Sequence, residues 1–337
     1  MNMLNISKFF IFFLIIIAFS CTHNKFDIDV SGIKADVTIQ RLEKDLFAIS
    51  LDRIADEVLD ISKKYGDFFD LYNNKVITIG STYNQAYPGY LKAFLTDFTI
   101  NELYKKCMQL YPDLNEETQK LSRAFKYFKY YFPEKNIPKI YSYIGGFNQS
   151  VVTGDKFIGF GIDKYLGSDS DFYKRLALPN YIRTKMHRGK ITADCMTGWA
   201  TAEFPFEAES ENLINQMLYH GKILYFLDAT LPFEHDSVKT GFTDQQLKWC
   251  DANEDKMWKY LVEKKLLFVS DYITTKKFID EAPFTANFSK NSPGKAAIWI
   301  GRQIIRKYME NNPGITIAQL MKENNYQNIL SAARYKP

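Results

Sequence analysis

The stretch Ser150-Val-Val-Thr-Gly-Asp-Lys-Phe-Ile-Gly-Phe-Gly-Ile162 decides the fold class. Residues 150–153 and 157–162 are short runs rich in β-branched and aromatic side chains. Between them Gly154-Asp155 favours a tight hairpin turn. Upstream, residues 139–143 read as a third strand, and Gly145-Gly146 turns the chain away from it. Earlier still, Ile33, Ala35, Val37 and Ile39 alternate with Lys34, Asp36, Thr38 and Gln40, the period of a half-buried strand.

Most of the remaining chain has helical texture. Spacing and punctuation predict helices over residues 51–64, 88–98, 101–110 and 116–132, with Pro112 and Pro133 as breaks. Residues 211–229 form the strongest pattern, with Leu213, Met217, Leu224, Leu227 and Leu231 on one face and Pro232 as the stop. Gly221 inside it costs about 1 kcal/mol against alanine, which points to close approach by another backbone. A further helix is expected over 243–266. The next is expected to start with Ser292 as cap and Pro293 at the first helical position, burying Ala297, Gly301, Ile304 and Tyr308. Two short helices, from Thr316 and from Tyr326, finish the chain. No repeat, low-complexity tract or linker divides residues 33–337. The expectation is therefore an α+β fold, one mostly helical domain with a small β-sheet around the hairpin.

The N-terminus carries a separate signal. Phe9-Ile-Phe-Phe-Leu-Ile-Ile-Ile-Ala-Phe-Ser-Cys21 is an apolar run behind Lys8 that ends in a small residue and a cysteine. A spanning helix needs about 20 apolar residues, so this shorter run reads as a signal-peptide core. The layout is that of a bacterial lipoprotein signal. It predicts a signal peptide over 1–20, lipid on Cys21, and a flexible tether over 21–32 leading into the globular domain at 33–337. An ordinary secretory peptide and a signal anchor are the rival readings.

The net charge of +4 is spread along the chain, so no nucleic-acid partner is implied. Beyond Cys21 the cysteines are Cys107, Cys195 and Cys250, without a CxxC pair, and isolated cysteines in apolar runs are expected as buried small hydrophobes. The histidines, His23, His187, His220 and His235, contain no HExxH and no pair at helical ligand spacing. A site from His187, Asp194, Glu203 and His220 is conceivable, but no spacing requires it. There is no Gly-x-Ser-x-Gly elbow and no phosphate loop; Cys195 with His187 or His220 is the one thiol–imidazole pairing worth naming. Asp169 and Asp171 lack the further oxygens of a calcium loop, and Glu203, Glu207, Glu209 and Glu211 read as acids before a helix start, not as a glycosidase pair. Phe125, Tyr127, Phe128, Tyr130, Tyr131 and Phe132 nearly surround one helix, as core contacts or as a groove for glycan or peptide. The expectation is no catalytic residue, no metal and no cofactor.

Several stretches taken in order resemble the gliding motility lipoprotein GldB family of the Bacteroidetes. They are Arg41-Leu-Glu-Lys-Asp-Leu-Phe47, Ile162-Asp-Lys-Tyr-Leu-Gly167, Gly221-Lys-Ile-Leu-Tyr-Phe-Leu-Asp-Ala-Thr-Leu-Pro232 and Ala282-Pro-Phe-Thr285. Pro293-Gly294, Trp299-Ile-Gly-Arg-Gln-Ile-Ile305 and residues 329–337 complete the set. The resemblance implies a non-enzymatic cell-envelope lipoprotein required for gliding, lipidated on Cys21. It also implies contacts with envelope proteins of the gliding and type IX secretion machinery. Thr22 after the cysteine favours the outer membrane, and the lack of an acidic run there favours a periplasm-facing protein. A more distant likeness is to zincin-type peptidases, with residues 192–203 as the helix that would hold HExxH. Asp194-Cys-Met-Thr-Gly198 and His220-Gly-Lys222 stand where ligands would be, which implies a degenerate, metal-less scaffold. The alternatives are a divergent envelope hydrolase, zincin-like or acting on the cell wall, and a glycan- or peptide-binding module.

Overall fold

Four strands organise the molecule: β1 (Ile39–Arg41), β2 (Lys139–Tyr143), β3 (Val151–Gly154) and β4 (Phe157–Gly161). The computed structural model describes residues 24–337; the apolar N-terminal run and Cys21 lie outside the described residues. The sheet order is β1-β2-β4-β3. β1 and β4 both run parallel to β2, and β3 pairs antiparallel with β4. The hairpin expected from the sequence is present. Gly154 pairs with Phe157, so the loop is Asp155-Lys156. A Cβ at Gly154 would lie 2.5 Å from the Phe157 ring, so only glycine lets that ring fold back over the turn.

Helices cover both faces of the sheet, which is why its inner strands read as continuous apolar runs. Tyr141, Tyr143 and Phe157 on one face pack with α1 (Leu42–Phe47), α2 (Ile54–Tyr65), α3 (Asp67–Leu71), the π-helical turn Tyr72–Val76 and α4 (Tyr87–Thr96). Phe68 stacks on Tyr141 with ring centroids 4.3 Å apart. Ile140, Ile158 and Phe160 on the other face join a larger core with α5 (Phe98–Leu110) and α6 (Asn115–Tyr131). The short helices α7 (Asp171–Arg175) and α8 (Asn180–Arg183) follow, then α9 (Ile191–Glu203) and α10 (Leu213–Thr230). Around these lie α11 (Asp236–Thr240), α12 (Asp244–Ala252), α13 (Glu254–Glu263) and α14 (Tyr272–Ile279). The chain closes with α15 (Ala296–Asn311), α16 (Ile317–Lys322) and α17 (Tyr326–Ala333).

The α10–α15 pair is the spine of the larger core. α10 is buried on nearly every side, and the backbone approach inferred from Gly221 is real. A Cβ there would lie 2.5 Å from the carbonyl of Gly301, and one on Gly301 would overlap the carbonyl oxygen of Met217. Two glycines thus let two helices cross at backbone contact.

Four expectations differ from the structure. Residues 33–38 keep the alternating burial, with Ala35 and Val37 inside, but only 39–41 join the ladder. The Val37 amide instead donates to Ser122 Oγ at 3.1 Å. The helix expected over 243–266 is two helices interrupted at Asn253. Ser292 caps no helix: its hydroxyl accepts from the Thr285 amide at 3.0 Å, and Thr285 Oγ1 accepts from Ala296 N at 3.1 Å, so the helix starts three residues later than Pro293. Packing also reaches upstream of residue 33. Phe26 and Val30 are buried, and Asn24 Nδ2 donates to the Pro232 carbonyl at 2.7 Å.

Candidate functional site

The histidines and carboxylates named from the sequence, His187, Asp194, Glu203 and His220, do not converge as a set. Glu203 pairs with Lys135 at 2.5 Å at the far end of α9. His187 forms a β-bridge with Leu166. Cys195 is fully buried, and burial drives its thiol well up. Cys107 and Cys250 are likewise buried free thiols. Asp171 is exposed beside Lys174. Phe125, Tyr127, Phe128 and Phe132 are core residues, whereas Tyr130 is half exposed. Among the described residues no group of three or more His, Cys, Asp and Glu side chains could hold a metal ion.

Asp194 and His220 both line a cavity of about 230 Å³. Helical spacing puts Asp194 and Thr197 on one face of α9, and His220, Ile223, Leu224 and Leu227 on one face of α10. α11 with Gly241 and Phe242 closes one side, and Glu281, Lys295 and Ile298 close another. Lys185 reaches in past Gly241, whose missing side chain leaves room for the lysine stem. Gly241 also sits at φ +74°, where a side chain is strained.

Four ammonium groups, Lys185, Lys190, Lys239 and Lys295, line this cavity with only two carboxylates, Asp194 and Glu281. Lys190 Nζ donates to the Val238 carbonyl at 2.6 Å and pairs with Asp194 at 3.1 Å. Tyr165 donates to the same carboxylate at 3.0 Å. Lys185 and Lys295 share Glu281, the latter at 2.5 Å. Burial pushes the Lys185 ammonium down, and the neighbouring Lys295 adds to it. Burial opposes ionisation of Glu281, yet Lys295 and Lys185 hold its carboxyl below the ordinary value. His220 is pushed down to about 4 by burial and by Lys295, so its imidazole is neutral at neutral pH.

Behind the cavity lies a buried ionic network. Arg302 on α15 is fully buried and forks onto two carboxylates, Asp228 of α10 (Nε–Oδ2 3.0 Å) and Asp236 of α11 (2.9 and 2.7 Å). Lys239 joins Asp228 at 2.8 Å and Asp236 at 3.0 Å, and Arg306 joins Asp228 at 3.1 Å. These cations hold both carboxyls below the ordinary range despite burial. None of this was found from the sequence. Its partners lie 66 to 78 residues apart in the chain, apart from Lys239 and its neighbours. The available signal was a polar residue inside each of two apolar helix patterns, Asp228 and Arg302.

A family model for gliding motility protein GldB matches residues 23–337, nearly the whole chain. The chain belongs to that family. Membership makes it a gliding-motility lipoprotein of the cell envelope, associated with a membrane. Among the described residues no helix is long and apolar enough to cross a membrane. No curated protein and no solved structure matches the chain. Two of the stretches that carried the resemblance, Gly221–Pro232 and Trp299–Ile305, contain the crossing glycines and the Asp228–Arg302 pair.

Proposed function

We propose that this protein is a non-enzymatic, Cys21-lipidated part of the gliding apparatus that works by contact with other envelope proteins, including those of type IX secretion. It faces the periplasm from the outer membrane. The observation that carries the reading is how the start of the described chain is seated. Asn24 and Phe26 dock at the C-terminal end of α10, where Phe26 meets Tyr225 edge-on at 5.4 Å and Tyr127 donates to the Ile28 carbonyl at 3.1 Å. Asn24 is three residues from Cys21, and three extended residues reach about 11 Å. Lipid on Cys21 would therefore hold the Pro232–Phe233 end of the molecule against the bilayer. Phe268, Tyr272 and Ile273, all more than half exposed, sit beyond the opposite end of α10, where Leu213 N donates to the Val269 carbonyl at 3.0 Å. The eighteen residues of α10 span about 27 Å, so that apolar patch would project toward partners. A Cys21→Ala strain is the test. The variant is expected in the soluble envelope fraction with spreading on agar lost. Retention in washed membranes, or normal spreading by released protein, would refute the reading.

A further inference from the structure

We propose that the α9–α10 cavity binds a compact oxyanion, a carboxylate or phosphate group carried on a small apolar body. The cavity carries a charge imbalance. The cavity and the network behind it share Lys239 and form one contiguous set. That set holds six cations, Lys185, Lys190, Lys239, Lys295, Arg302 and Arg306, against four carboxylates, Asp194, Asp228, Asp236 and Glu281. Charges withdrawn from water are tolerated when they are paired. Here every cation has a carboxylate partner, but six cations share four carboxylates, an excess of two positive charges. His220 does not change the balance, because it is neutral at neutral pH.

The surplus divides in two, one charge in the network behind the cavity and one among the groups that line it. Asp194 answers Lys190 alone, and Lys239, Arg302 and Arg306 share Asp228 and Asp236. Lys185 and Lys295 divide the single carboxylate Glu281 between them. Both lysine side chains are about three-quarters buried. An ammonium keeps donors free after one ion pair, and these two face the same small volume. Ile223, Leu224, Leu227 and Ile298 line the same cavity. The site thus offers a ligand both point charges and hydrocarbon.

The test is titration calorimetry on the full chain in non-ionic detergent at pH 7 and constant ionic strength, with inorganic phosphate and with 4-methylpentanoate as probes. Saturable one-to-one binding of either probe is expected. Phosphate alone identifies a phosphate group as the head, and 4-methylpentanoate identifies a carboxylate. Lys185→Met and Lys295→Met should each weaken binding at least tenfold, while Lys248→Met, outside the cavity, should leave it unchanged. Glu281→Gln removes the shared carboxylate and should tighten binding severalfold, which separates charge from folding if a lysine variant proves unstable. Absence of saturable binding by both probes overturns the proposal. So does binding that is indifferent to both lysines, or weakened by Glu281→Gln.

Discussion

Asp163 and His220 are shifted by the same cause, burial, with opposite consequences for stability. Asp163 is fully buried under the 145–147 turn, where Gly145 N and Phe147 N donate to Oδ2 at 3.3 and 2.7 Å and Oδ1 has no partner. Desolvation outweighs those bonds and raises its carboxyl to about 6. The folded state therefore holds this proton more tightly than the unfolded chain, and the contribution of Asp163 falls as pH rises from about 4 to about 6. His220 runs the other way. Its folded value of about 4 lies below the ordinary 6.5, so its contribution is present above 6.5 and is lost as pH falls through 4. The two slopes oppose each other over nearly the same interval. Melting temperatures from pH 4 to 7 should show His220→Gln gaining at the acid end relative to the parent, and Asp163→Asn losing there. A pH profile unchanged by either substitution would show that neither shift exists.

At the level of elements, the α10–α15 crossing makes the sharpest demand. Gly301→Ala must push a methyl group into the Met217 carbonyl, a backbone atom that cannot rotate away. Overpacking usually costs about 1–3 kcal/mol, and a clash with backbone belongs at the upper end. We expect a loss of about 3 kcal/mol or more in denaturant unfolding, against a few tenths for alanine at the exposed Gly314. A loss below about 1 kcal/mol at Gly301 would mean that the helices slide apart freely. Much at this scale was legible in the sequence. The strand at 139–143 and the hairpin appear where apolar runs meet glycine turns, and Thr316 builds the expected short helix with a capping box to Gln319. Gly221 announced its partner backbone. What the sequence hid depends on distant partners. Ser292-Pro293 has the chemistry of a helix start, but the serine hydroxyl is taken by Thr285 across the loop. The cavity lysines are ordinary residues until Glu281, 96 positions from Lys185, brings two of them together.

Across the whole molecule, the docked N-terminal segment and the proposed lipid on Cys21 together predict an orientation that can be measured. The three native cysteines of the folded domain are buried, so an introduced surface thiol can be labelled selectively. A fluorophore on Phe233→Cys in vesicle-bound lipoprotein should be quenched severalfold more strongly by headgroup-quencher lipids than one on Phe268→Cys. Equal quenching would exclude the upright arrangement. The same seating bears on mechanics. If Cys21 carries the proposed lipid, tension applied through it would enter where Asn24 grips the Pro232 carbonyl, beside the Asp228–Arg302 clamp and on the helix that carries the glycine crossing. Interlocked backbones at that crossing leave no side-chain cushion to yield. A pull from a moving envelope would therefore be transmitted to the far tip with little stretch, as by a stiff rod, and not absorbed by internal slippage.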